Sequence, residues 1–227
     1  MILVVLLDDA YCLHMENGVI MSIPSELFAE KTKKKCVYNI QPIVNIPSVI
    51  RYGLLSYERV TRIEHESIAM IDVQNRRDNV IIPNGGGLHS YANAYFDPRN
   101  PMMYKRKDRA QSLCVLAILS TVLNLDGVII SDGNAASEYS RFYAPEEGIQ
   151  KLDFARIYDE WWTDDDLCEQ LKRKRIKCAE VLVPNVIPYE YIIGAIVVNE
   201  QAQYDLKSKK FQQRIVIQPN VFFGKGD

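Results

Sequence analysis

Three short β-rich apolar runs crowd the end of the chain, Cys178 to Val183, Ile193 to Asn199 and Arg214 to Gln218, and strands set so close together must find pairing partners within a sheet. Further strand candidates lie at Cys36 to Gln41 and Gly127 to Ile130. Leu113 to Leu119 is a continuous apolar run that periodicity alone cannot assign to a central strand or a buried helix, and it is read here as a strand running into a short helix. Helical patterns fall between them. Asn45 offers an N-cap to a helix with Pro47 in its first turn and Gly53 as its stop, and Glu66 to Arg77, Asp153 to Trp162 and Asp166 to Arg175 read as further helices. Pro83 to Gly87 is a glycine-rich loop. Strands and helices alternate irregularly, so the expected class is α+β with a mixed or antiparallel central sheet.

At 227 residues the chain is long enough for one domain with a substantial core, and no repeat or linker divides it. The expected organisation is an N-terminal extension of uncertain role over residues 1–34 and a single domain over 35–227. Met15 and Met21 could each be the natural start. The apolar stretch Ile2 to Leu7 is too short to span a membrane and lacks a basic flank, which predicts a cytoplasmic protein. Five cysteines, widely spaced and never as C-x-x-C, suggest reduced thiols, with neither a disulfide framework nor a zinc site.

A net charge of −2 excludes bulk electrostatic coating of nucleic acid, yet the basic residues are clustered. The runs are Lys31 to Lys35, Lys105 to Arg109, and Lys172 to Lys177. Taken singly, each reads as a solvated helix end or loop.

The chemistry-bearing candidate is Glu180. Alternation along its strand puts Glu180 and Leu182 on one face and Ala179, Val181 and Val183 on the other, so a carboxylate is embedded in an apolar strand. An ionised Glu there needs a partner or a water-filled cleft. Spacing does not choose between a structural ion pair or exposed edge and a catalytic carboxylate. Arg76 and Arg77 close a helix, where cations complement the dipole. The histidines, at 14, 65 and 89, lack metal-ligand spacing or a nucleophile partner, which disfavours a metal or Ser/His/Asp mechanism. No G-x-G-x-x-G or Walker loop is present. Tyr91, Tyr95 and Phe96 could line a stacking pocket or simply fill the core.

Several segments, in this order, carry a family resemblance. They are Tyr38-Asn39-Ile40, Asn45 to Leu55, Ser67-Ile68-Ala69 with Arg76-Arg77, Gly86 to Tyr91, Tyr95 to Tyr104, Ser131 to Ala136, and Ala179-Glu180-Val181-Leu182-Val183. From about Tyr38 to about Tyr191 the chain resembles the DarT family of DNA ADP-ribosyltransferases. The segment ending Pro101-Met102-Met103-Tyr104 and the Ala-Glu-x-Leu-Val strand are the strongest signals.

The resemblance implies a PARP-like ADP-ribosyltransferase fold, with a split, mostly antiparallel sheet and flanking helices clasping NAD⁺. It implies that Glu180 and Arg77 are catalytic, that Asn39, Gln41, Asn45, Arg77 and Tyr95 bind the cofactor, and that His89, Asn134 and Lys174 meet DNA. It further implies a toxin that modifies a base in single-stranded DNA, thymidine first and guanosine second, paired with a macrodomain antitoxin of the DarG type. Leaving nicotinamide would generate an oxocarbenium-like sugar, whose charge a fixed carboxylate complements. A protein or RNA acceptor, or a non-catalytic nucleic-acid-binding module, is the rival reading. Many members of the family carry His where this chain has Asn39, which still donates and accepts hydrogen bonds.

Overall fold

The computed structural model describes residues 23–67, 71–83 and 85–224. Met15 and Met21, together with Cys12, His14, Ile68, Ala69 and Asn84, lie outside them.

The strands are β1 (Cys36–Pro42), β2 (Leu54–Leu55), β3 (Tyr91–Tyr95), β4 (Leu113–Leu119), β5 (Ile129–Ser131), β6 (Phe142–Tyr143), β7 (Glu180–Pro184), β8 (Val186–Ile187), β9 (Ile192–Val197) and β10 (Arg214–Ile217). The helices are α1 (Pro24–Thr32), α2 (Ile46–Tyr52), α3 (Tyr57–Val60), α4 (Ile71–Arg77), α5 (Pro101–Tyr104), α6 (Pro145–Lys151), α7 (Phe154–Ile157), α8 (Leu167–Ile176) and α9 (Glu200–Ser208). Among the described residues one eight-stranded sheet runs β10-β9-β4-β1-β3-β7-β5-β6, and β2 and β8 form a small ribbon. Every ladder of the large sheet is antiparallel except β9 with β10.

The sheet is split at its middle. β1 pairs with β4 along its full length, from Cys36 opposite Leu119 to Pro42 opposite Leu113. β3 pairs with β7 from Tyr91 opposite Pro184 to Tyr95 opposite Glu180. Between these halves a single ladder pair, Tyr38 opposite Tyr95, is made. Beyond it the two strands part, and the side chain of Asn39 crosses the gap to donate from Nδ2 to the Asn93 carbonyl at 2.8 Å. The expected α+β class with a split, mostly antiparallel sheet is what the chain adopts.

The main core lies on the sheet face that receives Val37, Cys114, Leu116, Ala179, Val181 and Val183. Phe28, Phe96 and Phe154 meet there with ring centroids 5.6–5.8 Å apart. Phe28 belongs to α1, within the segment set aside as an extension, and it is completely buried. Ser25 also exchanges hydrogen bonds with Asn124, through its backbone N–H at 3.0 Å and its hydroxyl at 2.9 Å. Burying one Phe is worth about 1.5–3 kcal/mol, so the packed body begins by Pro24 and a start at residue 35 is too late. A smaller cluster on the other face joins Ile40, Tyr95, Met103, Leu113, Val115 and Cys178 to Val221 and Phe222.

Several element boundaries depart from the sequence pattern. Asn45 does not cap α2. A 3-10 turn over Ile43–Asn45 leads directly into the helix, and the Asn45 side chain makes no cap bond. Gly53 does stop α2, with φ +76°, and a Cβ there would lie 2.5 Å from the Ile187 carbonyl oxygen, so only glycine lets β2 approach β8. Among the described residues the helix ending at Arg77 covers Ile71–Arg77, and Glu66 is not helical. The expected helix over Asp153 to Trp162 ends at Ile157, because the ammonium of Lys177 takes the Ile157 carbonyl at 3.0 Å and binds the Asp159 carbonyl and Asp97 carboxylate. Helix α9 went unforeseen, although Asn199 caps it by accepting from the Ala202 N–H at 2.9 Å.

Candidate active site

Where β1 and β3 part, a cleft of about 490 Å³ opens. Asn39, Gln41, Asn45, Arg77, Tyr95, His89, Asn134 and Lys174 all line it, so the cleft gathers every site residue expected from sequence except Glu180. Glu180 sits beneath the wall, only 1% exposed, and reaches the cleft through Arg77.

The alternation expected for the Glu180 strand holds. Leu182 packs with Ile82, Leu88, Tyr91 and Ala135, whereas Ala179, Val181 and Val183 enter the main core. The carboxylate is satisfied by two elements. Arg77, at the end of α4, places Nη1 3.3 Å from Oε2 and 3.5 Å from Oε1. The loop after β5 supplies the Ala135 N–H, which donates to Oε1 at 2.9 Å. Glu180 is thus an ion-paired carboxylate whose partner, Arg77, lines the cleft. An ionised group so deeply placed persists only because it is both paired and hydrogen-bonded.

The neighbours set the polarity. Burial, reinforced by the charge of Glu180, pushes the Tyr95 phenol well above its ordinary range, so the ring facing the cleft is neutral. The same causes push the Cys178 thiol up to about 12, which removes it as a thiolate nucleophile at neutral pH. Arg106 is buried on the cleft wall, and burial weakens its hold on its proton, although a guanidinium still stays charged. With Arg76, Arg77, Lys105 and Lys174 it makes the lining strongly cationic. Among the described residues the single lining carboxylate, Glu66, is paired with Arg109. Such a surface suits an anionic ligand, and phosphate groups above all.

Asn39 carries the clearest vacant valence. Its Nδ2 is spent on Asn93, and its Oδ1 is buried without a partner. An acceptor at that depth can take a hydrogen bond from a water or from a ligand hydroxyl or N–H. Asn45 is differently occupied, donating to the Glu66 carbonyl at 2.8 Å and accepting from the Glu66 N–H at 2.9 Å, which anchors one wall of the cleft. His89 packs against Tyr57 with ring centroids 4.3 Å apart and planes tilted by 38°, and its Nε2 lies 2.7 Å from Asp78 Oδ1, out of line for a hydrogen bond. Asn134 closes its own loop by accepting from the Ala136 N–H at 3.0 Å.

The basic run on α8 divides by helix geometry. Arg173 binds Asp159 at 2.6 Å and Asp164 at 3.0 Å, Arg175 binds Asp132 at 2.6 Å, and Lys177 is buried against Asp97. Lys174 is the member that lines the cleft. The run is thereby divided between ion pairs and the cleft. Tyr57, Arg106 and the Ala135 amide escaped the sequence reading. Arg106 lay hidden in a basic run, and a backbone N–H has no sequence signal.

Among the described residues no group of three or more His, Cys, Asp or Glu could hold a metal ion, and no helix is long and apolar enough to cross a membrane.

The sequence model of a family described as ssDNA thymidine ADP-ribosyltransferase, DarT, matches residues 38–223. A DNA ADP-ribosyl transferase–DNA ADP-ribosyl glycohydrolase fusion protein of Thermosipho africanus is 28% identical over 193 residues, covering 82% of this chain and 48% of the relative. A DNA ADP-ribosyl transferase of Thermus sp. is 28% identical over 167 residues, covering 69% of this chain and 78% of the relative. Among solved structures, Thermosipho africanus DarTG in complex with ADP-ribose superposes with a TM-score of 0.73 at 27% identity, over 84% of this chain and 51% of that one. The chain thus spans about half the length of the fusion relative.

Proposed function

The chain belongs to the DarT family of DNA ADP-ribosyltransferases, and on that premise we propose that it transfers ADP-ribose from NAD⁺ to a base in single-stranded DNA. Thymidine is the first candidate, in keeping with the family description, and guanosine the second. The observation that carries this reading is the buried Glu180 carboxylate, held by the Ala135 N–H and Arg77 at the wall of a cationic cleft.

The cleft suits NAD⁺ as co-substrate. The cationic wall, with Arg76 and Arg106, complements a pyrophosphate, and the free Oδ1 of Asn39 can accept from a ribose hydroxyl. Gln41 and Asn45 shape the wall beside Asn39, and the neutral Tyr95 ring gives a flat surface for nicotinamide. As the glycosidic bond breaks, positive charge develops on the sugar while nicotinamide leaves with the bonding electrons. A carboxylate already fixed in place stabilises that charge without reorganising. The acceptor base attacks the sugar carbon and gives up its ring proton, for which the Glu180 carboxylate is the proposed acceptor, with the Arg77 guanidinium beside it staying charged. His89 on Tyr57, Asn134 and Lys174 form the part of the rim that would receive the DNA.

The glycohydrolase fused to the Thermosipho relative supports a DarG-type macrodomain antitoxin, which strips the modification from DNA, as this chain's partner. That pairing makes the chain a toxin, working in the cytoplasm where DNA and NAD⁺ meet. The segment from Pro24 onward acts as one transferase domain.

Single-stranded DNA is expected to react at least about tenfold faster than duplex of the same sequence. Extruding a paired base costs a few kcal/mol, and each 1.4 kcal/mol or so is a factor of ten in rate. Labelled NAD⁺ with matched single-stranded and duplex oligonucleotides measures this. Equal rates, or label only on protein, contradict the DNA assignment.

Asn39→Ala should weaken NAD⁺ binding by roughly three- to tenfold, the worth of one hydrogen bond, whereas Asn39→His should preserve or tighten it. Calorimetric titration decides. Unchanged affinity in both variants removes residue 39 from the site.

A further inference from the structure

We infer that Arg175 is a positioning residue for the proposed reaction: it seats the loop after β5 so that the Ala135 N–H meets Glu180. The inference rests on the transferase reading above and assigns a task to a residue outside the cleft lining.

The chain of contacts is continuous. Arg175, in the last turn of α8, donates from Nη1 to Asp132 Oδ1 at 2.6 Å and to the Ser140 hydroxyl at 3.2 Å, gripping both ends of the loop. Its own carbonyl accepts from the Asn134 N–H at 3.0 Å. Within the loop, the Ser131 hydroxyl donates to the Gly133 carbonyl at 2.8 Å, and the Ser140 hydroxyl donates to the Asn134 carbonyl at 2.7 Å. Gly133 lies directly on Arg175. A Cβ at that position would stand 2.5 Å from Arg175 Nη1 and 2.9 Å from the Arg175 carbonyl oxygen, so the seat accepts glycine alone. Ala135 follows two residues later, completely buried in the small cluster with Leu88, Tyr91 and Leu182, and its N–H donates to Glu180 Oε1 at 2.9 Å.

The consequence is mechanical. Arg175 touches neither the carboxylate nor the cleft, yet it fixes the amide that orients the carboxylate. A displacement of about 1 Å in a reacting group can cost about a hundredfold in rate. The basic run is thereby given three different tasks. Arg173 ties α8 to the loop before it, Lys174 faces the cleft, and Arg175 holds the loop that positions Glu180.

The test is steady-state transfer to a saturating single-stranded thymidine oligonucleotide by the full chain and its variants. Arg175→Ala and Gly133→Ala are each expected to lower kcat by about tenfold to a hundredfold, with both KM values within about twofold of the parent. Arg175→Lys, which keeps one ionic bond to Asp132, should recover part of the loss. The double variant should be no worse than the poorer single one, because both act through one seat. Unchanged kcat in Gly133→Ala, a loss confined to KM for DNA, or additive losses would overturn the assignment. If Arg175→Ala does not fold, Gly133→Ala and Arg175→Lys decide the same question. An inactive parent chain would instead refute the transferase reading.

Discussion

Arg77→Ala is expected to destabilise the protein by about 3–5 kcal/mol, the usual cost of stranding one member of a buried ion pair. Glu180 is 1% exposed, and without Arg77 its charge keeps, among the described residues, the Ala135 N–H as partner. The reverse substitution is asymmetric. In Glu180→Ala the freed guanidinium already stands on the cleft wall, where water can take up its donors, so the loss of stability should be smaller. Urea unfolding of both variants measures the difference. Equal or reversed costs would mean that Arg77 does not hold the charge of Glu180 in place.

Glu180→Gln is expected to reduce transfer by about a hundredfold to a thousandfold while leaving the fold intact. Glutamine keeps an oxygen to accept from Ala135 but cannot complement a developing positive charge, and losing one well-placed electrostatic partner costs on the order of 10²–10³ in rate. The melting temperature should move far less than in Arg77→Ala. Retained turnover would remove Glu180 from the chemistry. A collapse of the fold would mean that its role is structural.

Strand periodicity made the heart of the site legible. The two-residue alternation around Glu180 placed Leu182 in one apolar cluster and Val181 and Val183 in another, as the fold has them. The family resemblance added which polar residues would gather, and the cleft does collect them from β1, β3 and the 3-10 turns beside them, α4, α8 and the loop after β5. What escaped was tertiary. Phe28 is an isolated aromatic just ahead of Lys31, Lys33, Lys34 and Lys35, so α1 reads as a solvated extension until Phe96 and Phe154 are seen to close over it. Asn45 has the right chemistry for a cap, but a distant backbone at Glu66 competes for its side chain and wins. The run Arg173-Lys174-Arg175 looks uniform in sequence, yet the acidic residues Asp159, Asp164 and Asp132 neutralise its flanking members from loops that only the fold brings near.

We propose that this chain joins ADP-ribose from NAD⁺ to a base in single-stranded DNA, with Glu180 as the residue that makes the transfer possible. Intact mass spectrometry of a single-stranded oligonucleotide bearing one thymidine, incubated with NAD⁺ and either the parent chain or Glu180→Gln, tests it most directly. The expected result is the mass gain of one ADP-ribose with the parent, none with Glu180→Gln, and none when the thymidine is replaced by cytidine. An unmodified oligonucleotide in the presence of active, NAD⁺-consuming parent protein, or equal modification by Glu180→Gln, would contradict it.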